Sequence, residues 1–214
     1  MFDLHTHTLL SDGELLPSEL ARRYEEKGYR AIAITDHVDI SNVKSVVSSI
    51  VEFSKKWPKN RIKVIPGIEL THIPLEHFQL LIKYARKNGI KIIVAHGETV
   101  SEPVIKGTNK KALSSGIDIL AHPGFITVAD VKLAKKRGVF LEITARKSHS
   151  ATNEHVVKLA KEIGAKLIIN TDSHSPCDIL KISELKKHAL KSGLNKAYLD
   201  KIYKDTAQFI AKIK

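Results

Sequence analysis

Residues 166–174 read KLIINTDSH, a short apolar run that ends in Asp172 and His174. The run is continuous in Leu and Ile instead of alternating with polar residues, which is typical of a strand buried on both faces of a sheet. The chain opens on the same arrangement, because Phe2–His5 leads into a His-Thr-His sequence that ends at His7. The pattern predicts buried strands whose ends carry side chains suited to chemistry.

Five more apolar runs lie between these two, and stretches with helical periodicity separate them. The runs are Ala31–Thr35, Ile62–Ile68, Lys91–Ala95, Asp118–Ala121 and Val139–Ile143. Seven strand–helix units without a linker predict a single domain over residues 1–214, with a parallel sheet and helical crossovers. The segment from residue 179 to residue 214 is expected to form two helices that separate near Gly193. Periodicity leaves two architectures open, a closed barrel and an open doubly wound sheet.

The composition excludes several classes of protein. The apolar fraction is 43% and the charged fraction 27%, close to the averages of soluble globular domains. No apolar run reaches the ~18 residues of a membrane-spanning helix, the single Cys177 excludes an internal disulfide, and no secretory signal is visible. We therefore expect a cytoplasmic protein with no membrane partner. The formal net charge of +12 suits phosphate-bearing partners without specifying one.

Eleven histidines in 214 residues direct attention to metal binding, because histidine is the commonest metal ligand. The carboxyl ends of parallel strands meet at one face, where the active sites of α/β proteins lie. The ligand-type side chains that follow the predicted strands are His5, His7, Asp12, His37, Glu69, His96, His122, Asp172 and His174. One catalytic zinc needs only three or four such ligands. The set suffices for two or three divalent ions, and its imidazole content favours zinc, manganese or iron.

The charge balance of such a centre indicates the substrate. Three divalent cations would carry six positive charges, and the carboxylates of Asp12, Glu69 and Asp172 would offset three of them. The cavity is therefore expected to stay cationic and to bind an anion. Paired metals also clamp the attacking and leaving oxygens of an in-line displacement and lower the pKa of bound water to about 7. Together these properties point to phosphoester hydrolysis.

In their order along the chain, these residues resemble the motifs of the PHP (polymerase and histidinol phosphatase) family of metal-dependent phosphoesterases. The motifs are His5-x-His7, Ser11-Asp12-Gly13, Thr35-Asp36-His37, Gly67-Ile68-Glu69, His96-Gly97, His122-Pro123 and Asp172-x-His174. The resemblance runs from residue 3 to about residue 178, and it is strongest to the stand-alone, histidinol-phosphatase-like branch. It implies a distorted, TIM-like (β/α)7 barrel of parallel strands with a trinuclear metal centre.

The resemblance also implies how the ligands divide among three ions. The first ion takes His5, His7, Glu69 and Asp172; the second takes Asp12, His37 and His174; and the third takes Glu69 as a bridge, His96 and His122. Some relatives have histidine at the position of Asp12, where an aspartate oxygen serves the same role.

Other residues are candidates for the substrate and for catalysis. Arg146 follows the sixth predicted strand and is expected to hold a phosphate with its planar fork, although an ion pair with a neighbouring loop is the alternative. His72 and Lys147 lie in rim loops and are further candidates for substrate contacts, and His149 is a similar rim residue. The residues assigned to catalysis are Arg146, Asp172 and His174. Glu142 is expected beneath the site, where it would orient a ligand.

The sequence thus predicts an enzyme, a phosphatase that hydrolyses a small phosphomonoester through a hydroxide bridging two metals. An alternative is a phosphodiesterase or 3′–5′ exonuclease on nucleic acid, which the charge of +12 would suit. A third hypothesis is a non-catalytic, metal-bearing nucleic-acid-binding protein, and the presence of every ligand position argues against it. The expected partner is a small phosphorylated substrate, with nucleic acid as the lesser option, and no oligomeric state is predicted.

Overall fold

All strands of the protein run parallel and belong to one sheet, as a computed structural model of residues 1–213 shows. The strands are β1 (Phe2–Asp3), β2 (Ala31–Ile34), β3 (His37–Val38), β4 (Lys63–Leu70), β5 (Ile92–His96), β6 (Ile119–Ala121), β7 (Phe140–Thr144) and β8 (Leu167–Asn170). Their order around the sheet is β1-β2-β4-β5-β6-β7-β8, with β3 paired to β4. Residue 214, the end of the predicted last helix and of the predicted domain, lies outside the described residues.

The first and last strands meet and close the sheet into a barrel. The backbone N–H of His7 donates to the carbonyl of Ser173 at 2.9 Å, and that of Asp172 donates to the carbonyl of His5 at 3.1 Å. Below them, the N–H of Leu4 donates to the side-chain oxygen of Asn170 at 2.9 Å. These bonds confirm the distorted (β/α)7 barrel and decide against an open sheet. They also bring the two ligand-bearing ends of the chain side by side.

Strand β3 is an addition to the seven predicted strands. It continues the direction of β2 after a break at Asp36, whose buried carboxylate accepts hydrogen bonds from the N–H and hydroxyl of Thr8 at 2.7 and 2.8 Å. The register with β4 is the same on both sides of the break, because Ile34 pairs with Pro66 and His37 pairs with Glu69. This pairing places two of the predicted ligands next to each other.

Residues 1–213 form eight α-helices; the first seven pack their apolar faces on the outer face of the sheet, and the eighth lies across one end of the barrel. They are α1 (Pro17–Glu26), α2 (Val43–Lys56), α3 (Phe78–Lys87), α4 (Thr108–Ser115), α5 (Val128–Arg137), α6 (Asn153–Ile163), α7 (Ile182–Lys191) and α8 (Lys196–Lys212). The two predicted C-terminal helices are confirmed as α7 and α8. Within residues 1–213, every helix is too short or too polar to cross a membrane.

The barrel interior has an apolar lower half and a polar upper half. The lower half consists of inward-facing residues from the strands, among them Leu4, Ile65 and Phe140. Helix α8 covers this end, because Ile210 belongs to the same cluster and the ring of Phe209 lies 5.3 Å from that of Phe140. Only the carboxyl ends of the strands therefore remain accessible, and the polar residues lie there.

Gly124, in the loop after β6, is expected to tolerate no side chain. A Cβ atom would lie 1.8 Å from the carbonyl oxygen of Glu98, and the backbone has a φ of +62°. Gly138 has a similar φ of +72° but open space around it. Gly138→Ala should therefore cost only the ~1–2 kcal/mol of left-handed backbone, whereas Gly124→Ala should cost at least about 3 kcal/mol. Urea unfolding of both variants tests this, and equal losses would contradict the close contact.

Candidate metal centre

All nine predicted ligands meet at the open end of the barrel. His37, Glu69 and His96 belong to strands, and the other six follow strand ends. Most of them line a cavity of about 220 Å³, together with Thr71, His72, Glu102, Arg146 and His149. The structure therefore joins side chains that are up to 169 residues apart, from His5 to His174, at a single site.

A first group lies at the seam between β1 and β8. His5 Nε2 is 3.3 Å from Glu69 Oε2 and 3.5 Å from Asp172 Oδ1, and His7 Nε2 is 3.2 Å from the same Asp172 oxygen. The four side chains are almost completely buried. Two imidazoles and two carboxylates that face one another in this way match the ligand set expected for the first ion.

A second group lies nearer to solvent. His37 Nε2 and His174 Nε2 are 3.4 Å apart, and each lies within 3.5 Å of Asp12 Oδ1. A nitrogen of His7 also belongs to this group, whose ligand atoms lie within 4.8 Å of one another. The group contains the set expected for the second ion, with His7 shared between the two positions.

The third expected set is less compact than the other two. His122 Nε2 is 3.8 Å from Glu69 Oε1, but His96 Nε2 pairs with Glu102 at 3.1 Å. His96 and His122 also group with His149. The structure thus brings His96 and His122 together and adds neighbours that the sequence pattern did not indicate.

Buried polar atoms without hydrogen bonds show that these residues suit cations. Within residues 1–213, the buried side-chain atoms of this kind at the site are His5 Nε2, His7 Nδ1 and Nε2, Glu69 Oε1 and Oε2, His122 Nδ1 and Asp172 Oδ1. Leaving buried polar groups unpaired costs about 1–3 kcal/mol each. Four of these atoms, on His5, His7, Glu69 and Asp172, face one another at 3.2–3.6 Å. Imidazole nitrogens and carboxylate oxygens in this arrangement fit divalent transition-metal ions.

Burial at the site is unfavourable for the charged forms of its own ligands. Burial, aided by the neighbouring imidazoles of His37 and His174, holds the pKa of His7 well below its ordinary value. Burial also raises the pKa of Asp172 to about 6, against the opposing effect of His5. Nearby opposite charges therefore do not offset the cost of burying the charged forms of these two groups. Bound cations would stabilise the charged carboxylate of Asp172.

The backbone at the site is strained. The only non-glycine residues with positive φ among residues 1–213 are His72, His122 and Asp172, at +50°, +27° and +54°. Such conformations cost of order 1–3 kcal/mol and cluster at functional sites. All three residues line the cavity, so the strain is confined to the positions where ligand direction matters.

Glu142 lies beneath the first group, where the sequence analysis placed it. Its Oε1 is 2.8 Å from His5 Nδ1 and accepts a hydrogen bond from the side-chain amide of Asn170 at 2.8 Å. Nδ1 of His5 therefore carries the proton, and Nε2 is left as the ligand atom. A carboxylate behind a histidine ligand orients the ring and raises its basicity.

Glu142→Gln is expected to weaken metal binding without removing a ligand. An amide can present its NH₂ group to His5 Nδ1 and favour the wrong tautomer, so the affinity should fall about 10–100-fold. Zinc titration against a competing chelator measures the change. The matched control is Glu162→Gln on the exposed side of α6, and equal affinity in the two variants would contradict the orienting role.

Not all of the candidate substrate residues lie at the cavity. Arg146 lines the cavity, where its Nη1 donates to the carbonyl of Asp172 at 3.1 Å and lies 2.7 Å from His174 Nδ1. His72 also lines the cavity and pairs with Glu102 at 2.9 Å. Lys147 is exposed and is not among the residues that line the cavity. The structure therefore brings Arg146 and His72 to the site and leaves Lys147 outside it.

Glu102 is the residue at this site that the sequence analysis missed. It lies in the loop between β5 and α4, and its carboxylate reaches three imidazoles, at 2.9 Å from His72, 3.1 Å from His96 and 3.3 Å from His149. Its pKa is lowered to about 2, chiefly by the hydrogen bond with His96. The only feature of the sequence that could have indicated Glu102 is its position in the loop after a strand that carries a predicted ligand.

This chain is similar in sequence to several known proteins. The model of the PHP domain matches residues 3–110. An uncharacterized protein of Methanocaldococcus jannaschii is 46% identical over 93% of both chains. A probable phosphatase of Thermoanaerobacter is 27% identical over 91% of this chain and 87% of its own length. The DNA polymerase/3′–5′ exonuclease PolX of Bacillus subtilis is 29% identical over 81% of this chain, which spans only 34% of that protein.

Among solved structures, a chain of archaeal ribonuclease P with mature tRNA has the same fold. The TM-score is 0.73 over 98% of this chain and 89% of that one, at 16% sequence identity. At this level of identity the likeness concerns the fold alone.

Proposed function

The chain belongs to the PHP domain family, and on that premise we propose that it is a metal-dependent phosphoesterase acting on a small phosphomonoester. The observation that carries the proposal is the convergence of nine ligand-type side chains at the open end of the barrel, where six of them line one cavity and several buried polar atoms lack hydrogen bonds. The similarity to a relative named probable phosphatase supports a phosphomonoester as the substrate, because phosphatases hydrolyse such esters and this chain covers 87% of that relative's length.

The proposed holders of the ions are the three sets given by the family pattern. They are His5, His7, Glu69 and Asp172; Asp12, His37 and His174; and Glu69, His96 and His122. Divalent ions bound there supply a water of lowered pKa and neutralise charge on the phosphoryl oxygens. The three carboxylates offset only part of the charge of three such ions, so the site would attract a phosphate dianion.

Arg146 is proposed to hold the phosphate. Its guanidinium now lies against His174 Nδ1 and the carbonyl of Asp172. His174 Nδ1 is also 3.0 Å from that carbonyl, so it can donate a proton there once the guanidinium turns toward a phosphate. His174 Nε2 then has a free lone pair facing Asp12 and His37. Phosphate binding by Arg146 and metal binding by His174 therefore favour the same arrangement of side chains.

The partner is proposed to be a small phosphorylated molecule. The cavity of about 220 Å³ has room for a phosphoryl group and part of its ester. Cleavage of nucleic acid is the second candidate, favoured by the similarity to PolX and by the charge of +12. The non-catalytic, nucleic-acid-binding hypothesis has less support, because every ligand position of the family pattern is present.

The test of the proposed function is hydrolysis of p-nitrophenyl phosphate by the purified protein with added manganese or zinc. We expect turnover that depends on the metal. A labelled single-stranded oligonucleotide separates the two enzymatic candidates, since stepwise shortening with no release of phosphate from small esters would favour the exonuclease. No turnover of either substrate across several metals and pH values would overturn the proposal.

Arg146→Lys is expected to raise KM for the phosphomonoester. Lysine keeps the charge but loses the planar fork, and a charge-assisted hydrogen bond contributes about 1.5–3 kcal/mol, which corresponds to about 10–150-fold in kcat/KM. The matched control is Arg137→Lys at the exposed end of α5. Steady-state kinetics with equal kcat/KM for the two variants would show that Arg146 does not bind the phosphate.

A further inference from the structure

Glu102 and His149 lie at the outer end of the cavity, outside the ligand sets of the family pattern. The loop between β5 and α4 supplies Glu102, and the loop after β7 supplies His149. We propose that these two side chains are additional ligands of the third divalent cation, together with His96 and His122. The inference rests on the proposed metal-dependent function and deepens it, because it assigns this ion to two loops as well as to the barrel.

The first observation is the position of His149. Although it lies in a loop, its side chain is only 5% exposed, and its ring stacks on that of His122 with the centroids 4.3 Å apart. One nitrogen from each of His96, His122 and His149 lies within 4.8 Å of the others. The hydroxyls of Thr99 and Ser101 hold Nδ1 of His149 at 3.0 and 2.8 Å. Its Nε2 is therefore the atom directed toward the cavity.

The second observation is the short distance between His96 and Glu102. His96 Nδ1 is 3.1 Å from the carbonyl of Gly97, so Nε2 is the nitrogen of this ring that faces the cavity. Nε2 lies 3.1 Å from Glu102 Oε2, and His96 and Glu102 also group with His72 as possible metal ligands. Zinc lies about 2.0–2.2 Å from imidazole nitrogens and carboxylate oxygens, so two ligand atoms this far apart can bind the same ion.

The third observation concerns the carboxylate expected to bridge. Glu69 Oε2 lies 2.7 Å from His37 Nδ1 and 3.3 Å from His5 Nε2, so that oxygen is directed toward the first and second groups. Toward the third group, Glu69 offers only Oε1, at 3.8 Å from His122. The carboxylate of Glu102 lies 3.1 Å from His96 and 3.3 Å from His149. It therefore offers this group a carboxylate at shorter distances than Glu69 does.

The loop that carries Glu102 is held in place by its own hydrogen bonds. Glu98 Oε1 accepts from the N–H groups of Gly107 and Asn109 at 3.1 and 2.9 Å, and the N–H of Glu98 donates to the side chain of Asn109 at 3.0 Å. The exposed imidazole of His72 holds Glu102 from the solvent side. The hydrogen bonds of its loop and the contact with His72 thus hold the carboxylate in position, as expected of a ligand.

Metal counting tests the inference independently of catalysis. The wild type, Glu102→Gln and His149→Gln are loaded with zinc, dialysed and analysed for zinc per chain, and each is titrated with Co²⁺ while its visible absorption is recorded. Glu76→Gln, exposed at the start of the short helix before α3, is the control. We expect three ions in the wild type and in the control. Each of the other variants should bind its weakest ion at least about tenfold less tightly, because loss of a ligand or of its supporting residue lowers metal affinity by at least about that factor.

The outcomes separate this inference from the proposed function. Equal stoichiometry and affinities in all four proteins would overturn the roles of Glu102 and His149 and leave the phosphoesterase standing. A wild type that retains no ions would overturn both. Glu102→Asp, which keeps the charge but shortens the side chain, should bind with intermediate affinity, and circular dichroism verifies that each variant is folded. Failure of Glu102→Asp to recover any affinity over Glu102→Gln would also contradict direct ligation.

Discussion

Glu69→Gln is expected to reduce kcat/KM for a phosphomonoester by at least about a thousandfold. Glu69 contacts members of all three expected ligand sets, since its oxygens lie 3.3 Å from His5, 2.7 Å from His37 and 3.8 Å from His122. Metal ions stabilise the charge of a transition state by several kcal/mol, and each 1.36 kcal/mol corresponds to a factor of ten. An amide in place of this carboxylate removes the negative charge that would hold neighbouring cations close together.

The measurement combines steady-state kinetics with zinc analysis of the same samples. Glu162→Gln on α6 is the matched control, because it makes the same chemical change at an exposed position. Glu69→Gln should lose both activity and bound zinc, whereas the control should lose neither. An enzyme that keeps its zinc and more than a tenth of its activity without the Glu69 carboxylate would exclude a bridging role.

The fold was predictable from sequence to the extent that it depends on burial. Runs such as Leu167–Ile169 are continuously apolar because both faces of a barrel strand are covered, and this signal locates all seven main strands within a few residues. Closure was not predictable from the runs themselves. It depends on bonds such as that from the N–H of His7 to Ser173, which join residues far apart in the sequence. The family resemblance, rather than periodicity, indicated the barrel.

Strand β3 shows a second limit. Its two residues, His37 and Val38, pair with β4 after a break at Asp36, whose carboxylate accepts hydrogen bonds from Thr8 and Ser11 of another loop. A two-residue strand has no periodicity to detect, and the break before it is a tertiary effect. The motif Thr35-Asp36-His37 predicted a ligand at this point but not the local geometry that directs it toward Glu69.

The candidate site was predictable where ligands follow strands directly. His96 ends β5 and Asp172 comes two residues after β8, and the parallel sheet alone is enough to bring such side chains together. Glu102 is six residues beyond β5 and His149 is five beyond β7. At that distance the direction of a side chain depends on loop hydrogen bonds, such as those of Glu98, that the sequence does not reveal. Residues close to strand ends are therefore predictable, and those on loops need a structure.

Removal of the metals is expected to destabilise the whole domain. A ligand that binds only the folded state stabilises it by about 4 kcal/mol when its free concentration is a thousand times Kd. A domain of this size shifts its Tm by about 2–4 °C for each kcal/mol, so each ion lost should lower Tm by about 8–16 °C. The effect is global because the first and last strands meet through residues at the site, including the bond from Asp172 to His5.

Thermal unfolding of the protein, before and after treatment with a chelator that is then dialysed away, measures this loss. Zinc or manganese should restore Tm, whereas calcium at the same concentration should restore little, since calcium prefers oxygen ligands and the site is rich in imidazole. A Tm that changes by less than about 2 °C would mean that the buried nitrogens and oxygens of His5, His7 and Glu69 need no cation. The apolar lower half of the barrel would then account for the stability of the domain. A metal centre would be excluded as the reason why these side chains converge.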